Sequence, residues 1–328
     1  MAKRKYYNKK DYFIDLENRQ MILSDSLFAA LKSNNQWTKY KKIGGSSIGD
    51  ILLKDEPFKS EFGAFCHITR LKLPVMINKY VHAGTVLEPL IFDKLRESQP
   101  NKWSSKILNY VAADYNYDYF AGKDEIFGGV PDGYMSTLEE FNLENEINEL
   151  KKQLTNFKNN NKIEEIAKLE DQIALLEYKF NKEHREKGVI LEIKTAGIKK
   201  MAKWDAGEVD LSYRKQSQLY SYLNGNLRYI IIALFLEEND YQNPADVDLN
   251  QRNMRSYKYE INELEVQDDI TKVRNWYKYY TNTKVSPLFD LQKDQDQIDY
   301  LLCENEEQWI ALLEKWKSIG KADPEIQP

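Results

Sequence analysis

Apolar positions along the chain keep two rhythms: steps of three and four residues, and short unbroken runs. The first governs "YVHAGTVLEPLIFDKLRES", where Val86, Leu87, Leu90, Ile91 and Leu95 predict a helix carrying Glu88 in its first turns, with Pro89 near its start. It returns over 138–187, a charged stretch free of glycine and proline, at Leu143, Ile147, Leu150 and Leu154 and again at Ile166, Leu169, Ile173, Leu176 and Phe180. Both runs have heptad spacing and are divided by "KNNNK" at 158–162. They predict an antiparallel helical hairpin, coiled-coil-like, with arms about 30 Å long at 1.5 Å per residue. The second rhythm marks strands at "VILEIKTA", "RYIIIALFLE" and the aromatic "SYKYEI". Between the first two of these lies "DLSYRKQSQLYSYLNG", a helix closed by Asn224 and Gly225. Gly44, Gly45, Ser46 and Ser47 read as a turn before a helix that opens at Ile48, and "EIFGGVPDGYMS" as a bend that leaves Asp132 beside a strand. Helices follow to the end, with Trp309 and Trp316 a heptad apart as packing residues.

Composition narrows the chemistry. The 328 residues are 42% hydrophobic and 12% aromatic, enough for one large core or two modest ones. No run reaches the roughly 18–20 apolar residues of a membrane span, and "MAKRKYYNKK" is basic without an apolar signal segment, so a soluble cytoplasmic protein is expected. Cys66 and Cys303 stand far apart outside any C-x-x-C pattern, and His67, His82 and His184 form no ligand cluster. Any metal is therefore held mainly by carboxylates, which favours a hard ion such as magnesium, with manganese as substitute. No G-x-x-x-x-G-K-[ST] motif occurs, and a net charge of -5 decides nothing about nucleic acid.

Within "GVILEIKTAG" an acidic and a basic residue interrupt an apolar strand. Glu192 and Lys194, two apart, share one face, and burying charges there is costly unless something binds them. The tripeptide alone is weak, since Glu149 with Lys151 and Glu177 with Lys179 repeat it on helix faces of the hairpin. Asp132 strengthens it, because a Pro-Asp-Gly turn ahead of an E-x-K strand brings two carboxylates to neighbouring strands. Such a pair suits a divalent cation, and a lysine beside it orients an attacking water, helps deprotonate it, or stabilises charge on a phosphate.

In this order the blocks "IGGSSIG", "AGTVLEP", "GGVPDGYM", "LEIKTA" and "YRKQSQLYSYL" resemble the PD-(D/E)xK nuclease superfamily, and within it the lambda-exonuclease-like, YqaJ-type viral recombinase nucleases. The resemblance runs over about 37–236 apart from the hairpin. It implies an α/β, restriction-endonuclease-like fold: a mixed central sheet flanked by helices, formed by 1–137 and 188–262. Inserted into that core is the helical hairpin of 138–187, which projects from the sheet edge, and 263–328 is a helical C-terminal extension. It further implies Asp132, Glu192 and the main-chain carbonyl of Ile193 as ligands of Mg2+, Glu88 as an additional acidic ligand, and Lys194 beside the nucleophilic water. Gln216 and Tyr220, matching a Q-x-x-x-Y element, assist from one helix face. Ser46, with Ser47 second, resembles part of a pocket for a 5′-terminal phosphate. The arginine usual before that serine is replaced here by Lys39, Lys41 and Lys42, and the sequence does not choose among them. Lys199, Lys200, Lys203, Arg214 and Lys215 flank the site and are expected to track a DNA backbone.

The function implied is a metal-dependent exonuclease that degrades one strand of duplex DNA from its 5′ end for phage-type recombination. Its partners by resemblance are DNA ends, a single-strand annealing recombinase and further copies of itself in a ring-shaped trimer. A restriction- or repair-type endonuclease, or a non-catalytic DNA-end-binding scaffold, stays open on the residues alone.

Overall fold

A computed structural model describes residues 4–98, 105–160 and 163–328. Strands β1 (Tyr12–Asp15) and β2 (Gln20–Leu23) open it as an antiparallel pair. Helices α1 (Asp25–Leu31), α2 (Gly45–Leu52), α3 (Glu61–Ile68) and α4 (Lys79–Ser98) follow. Next come β3 (Ser105–Asn109), β4 (Gly133–Thr137), the long helices α5 (Leu138–Asn159) and α6 (Ile163–Lys187), and β5 (Val189–Gly197). Helices α7 (Met201–Asp205) and α8 (Leu211–Asn224) cross over to β6 (Arg228–Leu236), which β7 (Asn253–Glu260) follows. The chain closes with α9 (Glu263–Tyr280), α10 (Gln295–Leu302) and α11 (Glu306–Ser318). Among the described residues no helix is long and apolar enough to cross a membrane.

The class is α/β. Five strands form a mixed sheet in the order β3-β4-β5-β6-β7, with β5 and β6 parallel and the other neighbours antiparallel. β5 and β6 are covered on both faces, which is why they read as nearly unbroken apolar runs. Strand alternation sends Val189, Leu191 and Ile193 towards Leu87 and Ile91 of α4. Ile190 and Ala196 face the opposite layer, with Trp204 and Tyr220. Glu192 and Lys194 share the parity of Ile190, so both belong to the α8 side. The β4–β5 ladder is short and ends at Gly133 opposite Leu191, so the second half of β5 runs past the end of β4 with one edge unpaired by strand.

Local structure departs from the sequence reading in four places. Helix α4 begins at Lys79, so Glu88 sits mid-helix and Pro89 is internal. The proline removes only its own N–H, and the buried stripe Ala83, Leu87 and Ile91 holds the helix across it. Gly45, Ser46 and Ser47 lie inside α2, with Gly44 as its cap, because the Ser47 hydroxyl accepts from the Gly44 N–H at 2.9 Å and donates to the Gly44 carbonyl at 3.1 Å. The hairpin leaves from β4 and β5, which are interior strands, rather than from the side of the sheet, where β3 lies. Strands β1, β2 and β3 had no sequence counterpart. Part of the divider between the hairpin arms, 161–162, lies outside the described residues.

Candidate active site

The sheet geometry brings Asp132, Glu192 and Lys194 together. Asp132 stands immediately before β4, and its Oδ2 accepts the Ile193 N–H at 2.7 Å, taking the edge of β5 that β4 leaves free. A strand residue turns its N–H and C=O to the same edge, so the Ile193 carbonyl also faces this gap. The Lys194 ammonium lies 4.0 Å from Asp132 Oδ2, bonds Glu192 Oε1 and sits 5.2 Å from the centre of the Tyr213 ring. Gln216 donates from Nε2 to the same Glu192 oxygen at 2.5 Å. The other oxygen, Glu192 Oε2, is buried with no hydrogen-bond partner.

Electrostatics tie Glu88 to this group. Burial, then the Asp132 charge, pushes Glu88 up to about 7, with Lys194 opposing. Burial and then Asp132 push Glu192 up to about 8, again opposed by Lys194. Lys194 is buried too, but Glu192 and Asp132 outweigh that and raise its pKa, so it is held as an ammonium. A cation fits the role of a charge stabiliser rather than of a proton acceptor.

The Q-x-x-x-Y pair splits in role. Gln216 touches the carboxylate, whereas Tyr220 bonds outward: its hydroxyl accepts the Gly45 N–H at 3.1 Å and its ring stacks on Phe120 at 5.6 Å. A Cβ on Gly45 would lie 2.5 Å from Gln216 Cγ and 2.8 Å from Tyr220 Cζ, and one on Gly129 2.4 Å from the Tyr220 hydroxyl. Two glycines thus let α2 and the segment before β4 close on α8. Their signal in the sequence was ambiguous, because glycine marks turns as readily as close approaches.

The expected phosphate residues are dispersed in role. Ser46 is exposed in the first turn of α2, while Ser47 is spent on the helix cap. Lys42 pairs with Asp118 at 2.7 Å. Lys39 is exposed, its carbonyl accepting from Arg70 at 2.8 Å. Lys41 is pushed down by loss of solvent and then by Arg70 and Lys72, which makes those two cations neighbours that the sequence reading did not include. Of the lysines and arginine expected to track DNA, Lys200 pairs with Asp210 at 2.6 Å, Lys203 with Glu208 at 3.7 Å, and Lys215 with Glu265 at 2.6 Å and Asp269 at 2.5 Å. Arg214 lies 4.8 Å over the Tyr259 ring. Lys215 is buried in its pairs, whereas Lys200 and Lys203 keep exposed side chains.

No family model matches the chain. It is similar to two bacterial proteins, both uncharacterized. One, from Mycoplasma genitalium, is 25% identical over 281 residues, 83% of this chain and 90% of the relative. The other, from Mycoplasma pneumoniae, is 24% identical over 286 residues, 85% of this chain and 93% of that one. Among solved structures, an alkaline exonuclease from Laribacter hongkongensis aligns at a TM-score of 0.42 and 12% identity, covering 78% of this chain and 92% of that one. The same exonuclease in complex with dAMP aligns at 0.43 and 12%, covering 73% and 87%. Superposition this loose carries no argument about activity, which rests on the site itself.

For a metal, the donors fit in kind. Glu192 Oε2 is an orphaned buried acceptor, the Asp132 charge raises the cost of ionising Glu88 and Glu192, and the Ile193 carbonyl faces the same gap. Among the described residues no three acidic, histidine or cysteine side chains are already gathered as a finished cage. Gln216, Lys194 and the Ile193 N–H meanwhile occupy carboxylate oxygens.

Proposed function

We propose that this chain is a metal-dependent DNA nuclease, acting as an exonuclease on the ends of linear duplex DNA. The observations that carry the reading are the convergence of Asp132 and Glu192 on Lys194 and the second Glu192 oxygen, Oε2, buried with no partner. Asp132, Glu192, Glu88 and the Ile193 carbonyl would hold Mg2+, with Mn2+ able to replace it. When bound, the ion supplies Lewis-acid activation of water and neutralises charge on the phosphate. Lys194 keeps a positive charge beside the reacting phosphate, Gln216 fixes the rotamer of Glu192, and Tyr220 secures α2 against α8. Polarity from the 5′ end, a single-strand annealing partner and assembly into a ring are finer parts of the same proposal.

Linear duplexes labelled at the 5′ or the 3′ end, digested with and without magnesium beside a closed circle, test the reading. Magnesium-dependent loss of the 5′ label from linear DNA alone is expected. Cleavage of the circle would assign an endonuclease instead, and metal-independent binding without cleavage a scaffold. If exposed Ser46 helps to bind a terminal phosphate, 5′-phosphorylated duplex is digested faster than 5′-hydroxyl duplex, and Ser46→Ala narrows the difference.

A further inference from the structure

Phe58, in the loop from α2 to α3, is 93% exposed and has φ +62. A side chain with a Cβ is disfavoured in this left-handed region by about 1–2 kcal/mol, and an exposed ring recovers nothing by burial. The residues on either side of it help to line a cavity of about 330 Å³, at the small end of ligand-site volumes. Leu53, Pro57, Val209 and Leu211, the last opening α8, supply its apolar lining.

The cavity adjoins the candidate active site through α8. Ser212 lines the cavity, Tyr213 lies beneath the Lys194 ammonium, and Gln216 holds Glu192. Ser212 and Gln216 are one helical turn apart, about 6 Å along the axis. A nucleotide whose phosphate reached the carboxylates would therefore have its base within reach of the cavity.

Charge argues for a base rather than a second phosphate. The lysines that line the cavity are already matched, Lys59 with Asp50 at 3.5 Å and Lys203 with Glu208 at 3.7 Å, and Asp210 is held by Lys200. Glu56 adds a further carboxylate to the lining. Such walls repel an anion but accept the exocyclic amino groups of a flat neutral ring.

Resting on the nuclease reading above, we propose that this cavity is a nucleobase subsite and that Phe58 stacks on the base it receives. Stacking needs only a π-face, so the subsite is tolerant of sequence. The test uses the full chain with Ca2+ in place of Mg2+, a hard ion that fills a carboxylate site and neutralises phosphate while supporting little hydrolysis, and duplexes carrying 2-aminopurine at one of the first four nucleotides from either end. Expected is a quench confined to one position, lost in Phe58→Ala together with about a tenfold weaker affinity for ends, and restored in Phe58→Trp. DNA binding with no position-specific quench, or a quench unchanged in Phe58→Ala, overturns the subsite and leaves the nuclease reading standing. Failure to bind any of these duplexes overturns both.

Discussion

A carboxyl group without solvent contact, bonded at one oxygen by Lys194 and Gln216 and at the other by no protein group, resists ionisation, and Glu192 is such a group. Its folded pKa, about 8, is raised, so the stabilising contribution belongs to the neutral acid. That contribution is complete below the unfolded value of about 4.5 and is lost as pH rises through about 8. Glu192→Gln keeps a neutral side chain at every pH. In chelator the variant should be more stable than the parent at pH 8 and show no gain near pH 4.5, as read by thermal unfolding. Equal stability at pH 8 would mean that Lys194 already offsets an ionised Glu192. Activity should fall by at least about a hundredfold in Asp132→Ala, Glu192→Ala and Lys194→Ala, with circular dichroism unchanged. Unaltered rates in these variants would remove the site. Gly45→Ala tests support rather than chemistry. The new methyl meets Gln216 and Tyr220 at distances no side chain tolerates, so α2 must shift, at a cost of about 1–3 kcal/mol in stability and with Gln216 displaced from Glu192.

At the scale of elements, the base of the hairpin is bolted to the sheet by a polar cluster. Glu140 of α5 accepts from the Tyr134 hydroxyl of β4 at 2.6 Å and lies 2.8 Å from His184 Nδ1 of α6. His184 Nε2 faces the Asn224 carbonyl at 2.7 Å, and Asn226 donates to the His184 carbonyl at 2.6 Å. Acceptors at both ring nitrogens favour imidazolium. Burial alone would push His184 down, but the hydrogen bond to Glu140 and then the Asn224 carbonyl raise it, with Lys123 the nearby cation that opposes. A raised histidine stabilises below its unfolded value of about 6.5 and ceases to as pH passes the folded one. Protection factors at the ends of α5 and α6, which correct exchange for its intrinsic acceleration by base, should therefore fall at alkaline pH, and His184→Gln should remove that fall. None of this cluster was legible, because its members are spread from 134 to 226 and each alone is an ordinary polar residue. The two arms were legible because a heptad seam leaves a signature over many turns. β5 and β6 were legible because burial on both faces removes polar residues. β1 and β2, four residues each in an aromatic and charged stretch, give no such signal. The order Pro-Asp then E-x-K was visible as sequence, whereas the engagement of Lys215 by Glu265 and Asp269 depends on residues about fifty positions away.

For the whole molecule, the hairpin arms and the C-terminal helices stand in opposite relations to the core. Ile147, Leu169, Ile173 and Leu176 are buried, yet they belong to none of the apolar clusters around the sheet, and Lys151–Glu177 at 2.7 Å and Lys158–Glu170 at 2.8 Å join arm to arm. The arms satisfy each other. By contrast, Val273 and Trp276 of α9, Leu301 of α10 and Trp309, Leu313 and Trp316 of α11 share one cluster with Met21 of β2, Ile48 of α2 and Phe62 and Phe65 of α3. α2 carries Gly45, against which Tyr220 and Gln216 are set, so this cluster stands behind the candidate active site. Two truncations should separate the cases. Replacing 145–179 with a short Gly-containing turn keeps Glu140, His184 and Tyr134 in place, and should leave a cooperative unfolding transition and metal-dependent cleavage of a short duplex. Removing 263–328 exposes the aromatic cluster and takes from Lys215 both of its carboxylate partners, at a cost of several kcal/mol by the lost apolar burial alone. That chain should lack a cooperative transition and aggregate. A folded, active product of the second truncation would make 263–328 an appendage. Unfolding after the first would mean that the arms pack on the core, with their Leu and Ile seam counted as part of it.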